Sequence, residues 1–369
     1  MKIGVLTSSR ADYGIYLPLL NEIKKDHFFD LELIAFGTHL SYKHGFTLDD
    51  IENDGYDTIH KITSLLDDDG EKGIAISYGN TVLKFSDFWQ DHSFDLVFCL
   101  GDRFEMSAAV QAGIPFGVKF AHIHGGETTL GAIDNIYRHQ ITLASILHFT
   151  ATQEFTEKVI KLTGTSDNVY TVGSLSLDGI ENYIPIKKHI FLDKFKIPNQ
   201  EFALITFHPE TIKPYLNKVS AVEMRNALAQ LSKKIFLVIT MPNADTHGTV
   251  LRFEIKKLKN DFPGQVLCIE NFGKENYFSA MFFAKVLIGN TSSGIIEAAS
   301  FSKHVVNVGD RQKGRLQSKN CIDTPFIELE IINAVNKALS LNEYKGDNIY
   351  CKPETTKIII NKLKLFNEV

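Results

Sequence analysis

Residues 2–36, KIGVLTSSRADYGIYLPLLNEIKKDHFFDLELIAF, decide the fold. Lys2–Thr7 is a short apolar run of the kind that makes a buried strand, and SSRADYG after it is polar. Apolar residues then recur at helical spacing from about Ile15 to Lys25, and Asp30–Phe36 is a second apolar strand ending in GTH. Strand, loop, helix and strand in so short a stretch form one βαβ unit, which predicts a parallel sheet wrapped by helices.

The same grammar continues outward. Asp95–Leu100 (DLVFCL) predicts a strand ending in GDRFEM, before a helix-like Ser107–Gln111. Phe116–Ile123 predicts a strand that runs into residues 121–139, AHIHGGETTLGAIDNIYRH, where polar residues crowd together. Apolar periodicity over Ile133–Leu147, a strand at Ile146–Ala151, a helix over Thr152–Lys161 and a final strand in VYTVGS complete a first domain. Residues 178–200 mix prolines and lysines without clear periodicity and read as a linker.

A second α/β set follows. Its predicted strands are Phe202–Thr206, Ile235–Thr240, Gln265–Ile269, Val286–Gly289 and Val305–Val308. Its predicted helices are Val219–Ser232, Thr249–Asn260, Asn276–Ala284 and Ile295–Phe301. The expected architecture is therefore α/β, with two Rossmann-like domains, 1–178 and 179–354, facing each other across a cleft. The helical pattern at Lys357–Phe366, within 355–369, is expected to pack back on the first domain.

Composition fits a globular protein of this size: 369 residues, 44% hydrophobic and 22% charged. Its net charge of -5 comes from 39 basic and 44 acidic side chains that are interspersed, so no basic stripe marks a nucleic-acid binder. The four cysteines are scattered without CxxC spacing and read as reduced thiols. The chain enters its first strand directly from Met1, and its apolar runs are too short to span a bilayer. A cytoplasmic protein with no membrane partner is expected.

Polar clusters fall where strands end, the usual place for chemistry in open α/β sheets. Asp12 and Asp102 each have a bland reading as helix caps. In NTSSG, Thr291, Ser292, Ser293 and Gly294 open a helix whose backbone amides suit a pyrophosphate, with Glu297 one turn on for a ribose diol. Neither GxxxxGK[ST] nor a GxGxxG after the first strand is present, which tells against P-loop enzymes and ordinary dinucleotide dehydrogenases. Arg10, Arg103 and Arg311 are the candidates for neutralising phosphate charge.

His122 and His124 alternate about Ile123 and are expected on one strand face, where hydrogen bonding to a substrate is favoured over metal binding. No metal or cofactor is expected. A serine hydrolase is disfavoured because GxSxG is lacking. Asp102, Glu127 and Asp134 are three carboxylates brought toward one place. Such groups push one another's pKa values apart and suit acid/base work on a sugar.

Taken together, SRADYG, GDRFE, HIHGGETTLGAID with RH, FHPET, NAD, GNTSSG and GDRQKGR, in this order, closely resemble the hydrolysing UDP-N-acetylglucosamine 2-epimerases of bacterial sialic-acid synthesis over residues 2–315. The resemblance implies a GT-B-like fold and elimination of UDP to a 2-acetamidoglucal, followed by addition of water. It assigns Asp102, Glu127 and Asp134 as the acid/base set. It assigns Arg10, Arg103, His208, Ser292, Ser293, Glu297 and Arg311 to the nucleotide, the backbone of residues 272–277 to the base, and His122, His124, Arg138 and His139 to the sugar. In the family, non-hydrolysing members and the animal bifunctional enzyme carry glutamate at the position of His124 whereas bacterial hydrolysing members share HIHGGE, so the resemblance implies the bacterial hydrolysing branch. A homo-oligomer is implied as well. Open alternatives are a paralogue acting on a UDP- or GDP-linked 2,4-diacetamido-trideoxy sugar, a GT-B glycosyltransferase, and a non-catalytic nucleotide-sugar sensor.

Overall fold

The computed structural model describes residues 1–42, 46–68, 70–130, 133–210, 213–242, 248–270 and 272–366. They form two compact units. The first comprises Met1–Glu127, Asp134–Gly179 and Tyr350–Val369, and the second Thr128–Ile133 and Ile180–Ile349.

In the first unit the strands are β1 (Lys2–Thr7), β2 (Asp30–Phe36), β3 (Thr58–Ile62), β4 (Leu96–Leu100), β5 (Phe120–Ile123), β6 (Leu147–Thr150) and β7 (Val169–Thr171). They pair in the order β3-β2-β1-β4-β5-β6-β7, every ladder parallel. The order reverses between β1 and β4, and a crevice at such a switch point is where open sheets bind ligands. Both faces are covered, so the strands read as continuous apolar runs. Ile3, Val5, Leu33 and Phe98 face Tyr16, Leu19, Leu20 and Ile23 of helix Arg10–Lys25. Leu6, Ile34, Val97 and Cys99 meet Phe85, Phe88 and Trp89 of helix Glu71–Asp91 on the opposite face.

The second unit holds β8 (Phe202–Thr206), β9 (Phe236–Thr240), β10 (Val266–Ile269), β11 (Val286–Gly289), β12 (Val305–Val308) and β13 (Cys321–Thr324). Their order is β10-β9-β8-β11-β12-β13, again all parallel, with the reversal between β8 and β11. The architecture is thus two Rossmann-like α/β units, as the βαβ grammar predicts. No helix among the described residues is long and apolar enough to cross a membrane, and Cys99, Cys268 and Cys321 are free thiols.

Several elements depart from expectation. The helix expected from Ile15 begins at Arg10, because Ser9 is its N-cap and accepts the Asp12 N–H at 3.3 Å. Most of SSRADYG is therefore the first turn of the helix. The strand expected from Phe116 starts at Phe120, since Ile114–Phe116 forms a 3-10 turn closed by Gly117 at φ 68°. Within the expected linker, Lys188–Phe195 is a helix that buries Phe191 and Leu192 in the second core.

Candidate active site

The ends of β1, β4 and β5 meet at the first switch point. Asp12 lies in the first turn of its helix, and its carboxylate accepts from the Ser8 N–H (3.1 Å) and the Ser8 hydroxyl (2.6 Å). Burial raises its pKa, partly offset by the nearby positive Arg103. Asp12 thus locks the β1 turn, while Ser9 is the cap. Asp102 does not cap the helix after β4, whose N-cap is Arg103 without a side-chain bond. Its carboxylate instead takes an ion pair from Arg138.

Arg138 is the hub of this end of the sheet. It stands on helix Asp134–Ala144 and is 2% exposed. Its Nη2 binds Asp102, its Nη1 donates to the His124 carbonyl at 2.8 Å, and Nη1 lies 3.9 Å from Glu127 Oε2. One planar guanidinium therefore ties the β4 end, the β5 end and the HGGE turn together, a geometry that a lysine cannot copy. Glu127 in turn accepts from His124 Nδ1 at 2.7 Å, both side chains being buried.

The turn that presents this pair rests on unusual backbone. β5 stops at Ile123, and His124 is left-handed at φ 66°. Its N–H donates to the Phe149 carbonyl at 3.0 Å. Gly126, at φ 78°, passes so close to Phe155 that a Cβ would stand 2.3 Å from its carbonyl oxygen. Strand alternation therefore does not put His122 and His124 on one face. His122 is wholly buried, with Nε2 2.9 Å from the Gly101 carbonyl and Nδ1 3.1 Å from Thr142 Oγ1. A carbonyl accepts only, so Nε2 carries the proton. Burial drives the His122 pKa down to about 3, and the ring is neutral. His122 thus joins β4, β5 and helix Asp134–Ala144 from within the core.

Arg103 is held by Glu105, through Nη2–Oε1 at 2.9 Å and Nε–Oε2 at 3.3 Å. Glu105 is fully buried, and sequence reading missed it although it lies two residues on in GDRFE. His39 was missed too. Its Nε2 pairs with Thr7 Oγ1 at 2.9 Å and its Nδ1 with Thr47 Oγ1 at 2.7 Å, which pins the β1 end. Asp134 is the first residue of its helix, one turn before Arg138 and on the same face. Its charge is felt by Tyr137. Arg10 and His139 are exposed on their helices. His139 is pushed below the usual histidine range by burial and by Arg138 beside it.

At the switch point of the second unit, Asn290 zips β11 to β8. Its Oδ1 accepts the His208 N–H at 2.7 Å and its Nδ2 donates to the His208 carbonyl at 2.9 Å. The Asn290 carbonyl accepts from Arg311 Nη1 at 3.1 Å and from Gln312 Nε2 at 2.9 Å, which brings the GDRQKGR loop to GNTSSG. Thr291 caps helix Ser292–Ile296 by accepting the Ser293 N–H. Ser293 Oγ lies 2.9 Å from Tyr277 Oη. Glu297 follows directly on this helix and is largely buried, and Gly294 packs against Val305. His208, Arg311, Ser293, Glu297 and the residues around Tyr277 therefore share one sheet edge. Thr128–Ile133 groups with this unit, held by the Leu130 N–H donating to the Lys313 carbonyl at 2.8 Å and by Arg315 Nη2 at 3.4 Å from Thr129 Oγ1. Asn243–Asp245 of the NAD motif, Gly131, Ala132 and Thr211 lie outside the described residues. Among the described residues no group of three or more His, Cys, Asp or Glu is arranged to hold a metal ion.

A family model described as UDP-N-acetylglucosamine 2-epimerase matches residues 21–364. A relative from Campylobacter jejuni named GDP/UDP-N,N'-diacetylbacillosamine 2-epimerase (hydrolyzing) is 33% identical, over 89% of this chain and 85% of its own length. Polysialic acid biosynthesis protein P7 of Escherichia coli is 30% identical, over 91% of this chain and 85% of its own. The UDP-GlcNAc 2-epimerase of Neisseria meningitidis, solved bound to UDP-GlcNAc, superimposes with a TM-score of 0.78 at 17% identity, covering 99% of this chain and 100% of that one.

Proposed function

The chain belongs to the UDP-N-acetylglucosamine 2-epimerase family, and from that premise we propose that it is a hydrolysing 2-epimerase. It converts UDP-N-acetylglucosamine and water to N-acetylmannosamine and UDP through a 2-acetamidoglucal. The observation that carries this reading is the cluster of buried Arg138, Glu127 and His124 with partly exposed Asp102 at the first switch point.

C2–H of such a sugar adjoins no carbonyl and is not acidic, so C1–O cleavage must lead and proton removal follow the charge developing at C1. Asp102, Glu127 and Asp134 form the acidic set for this chemistry. Arg138 and His139 serve the sugar end, and His122 is a positioning residue behind Gly101. In the second unit, backbone amides and hydroxyls of Ser292, Ser293 and Gly294 take the diphosphate with Arg311 and His208, and Glu297 takes the ribose. Arg10 and Arg103 are the first unit's own candidates for neutralising phosphate charge. In this reading residues 1–178 with the C-terminal helix carry the acid/base groups and residues 179–354 the nucleotide. The protein acts in the cytoplasm on a small anionic substrate and needs neither nucleic acid nor membrane. Exposed Ile114, Phe116, Ile136, Leu143 and Ile146, on neighbouring parts of the first unit, support a homo-oligomer.

The name of the Campylobacter relative favours a second substrate, a UDP- or GDP-linked 2,4-diacetamido-trideoxy sugar. Incubation with each nucleotide sugar separately, followed by NMR of the sugar product, decides between them. Release of a free 2-epimerised sugar without any acceptor is expected. Nucleotide release only when an acceptor is added would make the protein a GT-B glycosyltransferase instead.

A further inference from the structure

His124 carries a polar atom that the structure leaves waiting. Its side chain is more than nine-tenths buried, Nδ1 is 2.7 Å from Glu127 Oε1, and Nε2 is buried with no hydrogen-bond partner among the described residues. A carboxylate accepts only, so the proton sits on Nδ1 and the lone pair on Nε2. His39 and His122, by contrast, have both ring nitrogens engaged. His148 also has an unpartnered Nδ1, but its ring bonds the backbone of Ser145 rather than a carboxylate. The position is built as well. His124 is a left-handed non-glycine residue whose carbonyl is held by Arg138 and whose N–H is held by Phe149.

We infer that His124 and Glu127 form a base dyad that activates the incoming water. This rests on the hydrolysing reading above. The orphaned nitrogen is an acceptor, and an O–H satisfies it far better than a C–H, so its partner is water rather than C2 of the sugar. In the step, a water O–H bond breaks and its proton passes to Nε2 while the oxygen bonds to C1 of the 2-acetamidoglucal. The C1=C2 electron pair takes up a proton at C2 from a protonated carboxyl of Asp134, and the carboxylate left behind is reprotonated from solvent. Glu127 steadies the imidazolium, which then returns its proton to solvent. Glu127 is thus a positioning residue that acts through His124. The charged groups around the ring are Glu127 and Arg138, with Asp102 beyond the guanidinium and neutral His122 behind it.

The test uses the full chain with whichever nucleotide sugar the wild type consumes, and separately with added 2-acetamidoglucal. His124→Asn suits the left-handed backbone and is checked for folding by UDP binding. It is expected to release UDP, accumulate the glycal, and hydrate added glycal about 100-fold more slowly than wild type. Glu127→Gln keeps an acceptor for Nδ1–H but removes the charge that steadies the imidazolium. Its hydration of added glycal is therefore expected to slow about tenfold or more while UDP release is retained, a split that a merely structural role would not cause. Wild-type hydration by His124→Asn, equal loss of UDP release and hydration in either variant, or wild-type hydration by Glu127→Gln each overturns the dyad. A wild type that releases no UDP or GDP from any of these sugars overturns the functional reading itself, and with it the dyad's role.

Discussion

Arg138 bears more of this site than any carboxylate that was singled out from sequence. Its guanidinium is buried between Asp102, which is about a quarter exposed, and Glu127, which is not. Arg138→Met would leave those charges without their cation and is expected to cost about 3 kcal/mol, read from denaturant unfolding. Arg138→Lys keeps the charge but cannot reach Asp102 and the His124 carbonyl together. It should retain most of the stability while losing about tenfold or more in turnover. If both variants lose activity and stability in parallel, the fork is not what matters. The buried histidines make a second prediction. Burial lowers His39 to about 4 and His122 to about 3, so both stay neutral in the fold while the unfolded chain protonates them below about 6.5. Their contribution is complete above pH 6.5 and is lost as the pH falls from there toward 4 and 3, at about 1.4 kcal/mol per pH unit for each ring. Urea midpoints at pH 7 and pH 5 should show this slope, and His39→Gln should flatten it by about one ring's share. An unchanged slope would mean that His39 is not held neutral.

Among elements, those with clean apolar periodicity were legible. Phe202–Thr206, Val286–Gly289 and Val305–Val308 lie at their expected positions. Helix Glu71–Asp91 escaped because the first half of its buried face is Gly73, Ser77 and Thr81, four residues apart but not apolar, before Phe85, Phe88 and Trp89 take over. Those small residues face the segment before the helix, with Ser77 Oγ accepting the Leu66 N–H at 3.0 Å and Thr81 Oγ1 2.8 Å from Ser64 Oγ, while Trp89 Nε1, toward the other end, donates to the Ala109 carbonyl at 3.1 Å. The site was legible as residue types at strand ends, whereas its wiring was not. The left-handed turn at His124 replaces strand alternation, and a sequence pattern of period two cannot show it. The turn at β11 is equally specific. Gly289 approaches β8 so closely that a Cβ would stand 1.8 Å from the Thr206 carbonyl oxygen. Gly289→Ala should therefore split the second switch point, costing about 3 kcal/mol or more, or leave the chain insoluble. Gly117, at φ 68° but with open space around it, is the control, and its alanine variant should cost only about 1 kcal/mol. Equal losses at the two sites would show that backbone conformation alone, not the β8–β11 approach, sets the requirement.

At the scale of the whole molecule, the first unit is assembled from separated stretches of chain, with the second unit's main segment inserted between them. Ser174 donates its N–H to the Tyr350 carbonyl at 2.8 Å, and the Thr355 hydroxyl donates to the Val172 carbonyl at 2.7 Å. Helix Thr355–Phe366 then sends Ile359 and Leu363, both fully buried, into the core beneath β1 and β2. The first sheet thus depends on the last residues of the chain, and its cooperative unit spans both ends of the sequence. Leu363→Ala should cost about 2–5 kcal/mol, as large-to-small changes in a packed core do. A chain ended at Ile349 should lose this packing from the first unit alone, since the second unit's cores draw on residues 180–339. Limited proteolysis separates the possibilities. Cleavage concentrated within residues 1–179, with a surviving fragment that starts near residue 180, is expected. If the truncated chain resists protease as well as the full one, the C-terminal helix is not part of the first unit's core, and the Leu363 effect must have another origin.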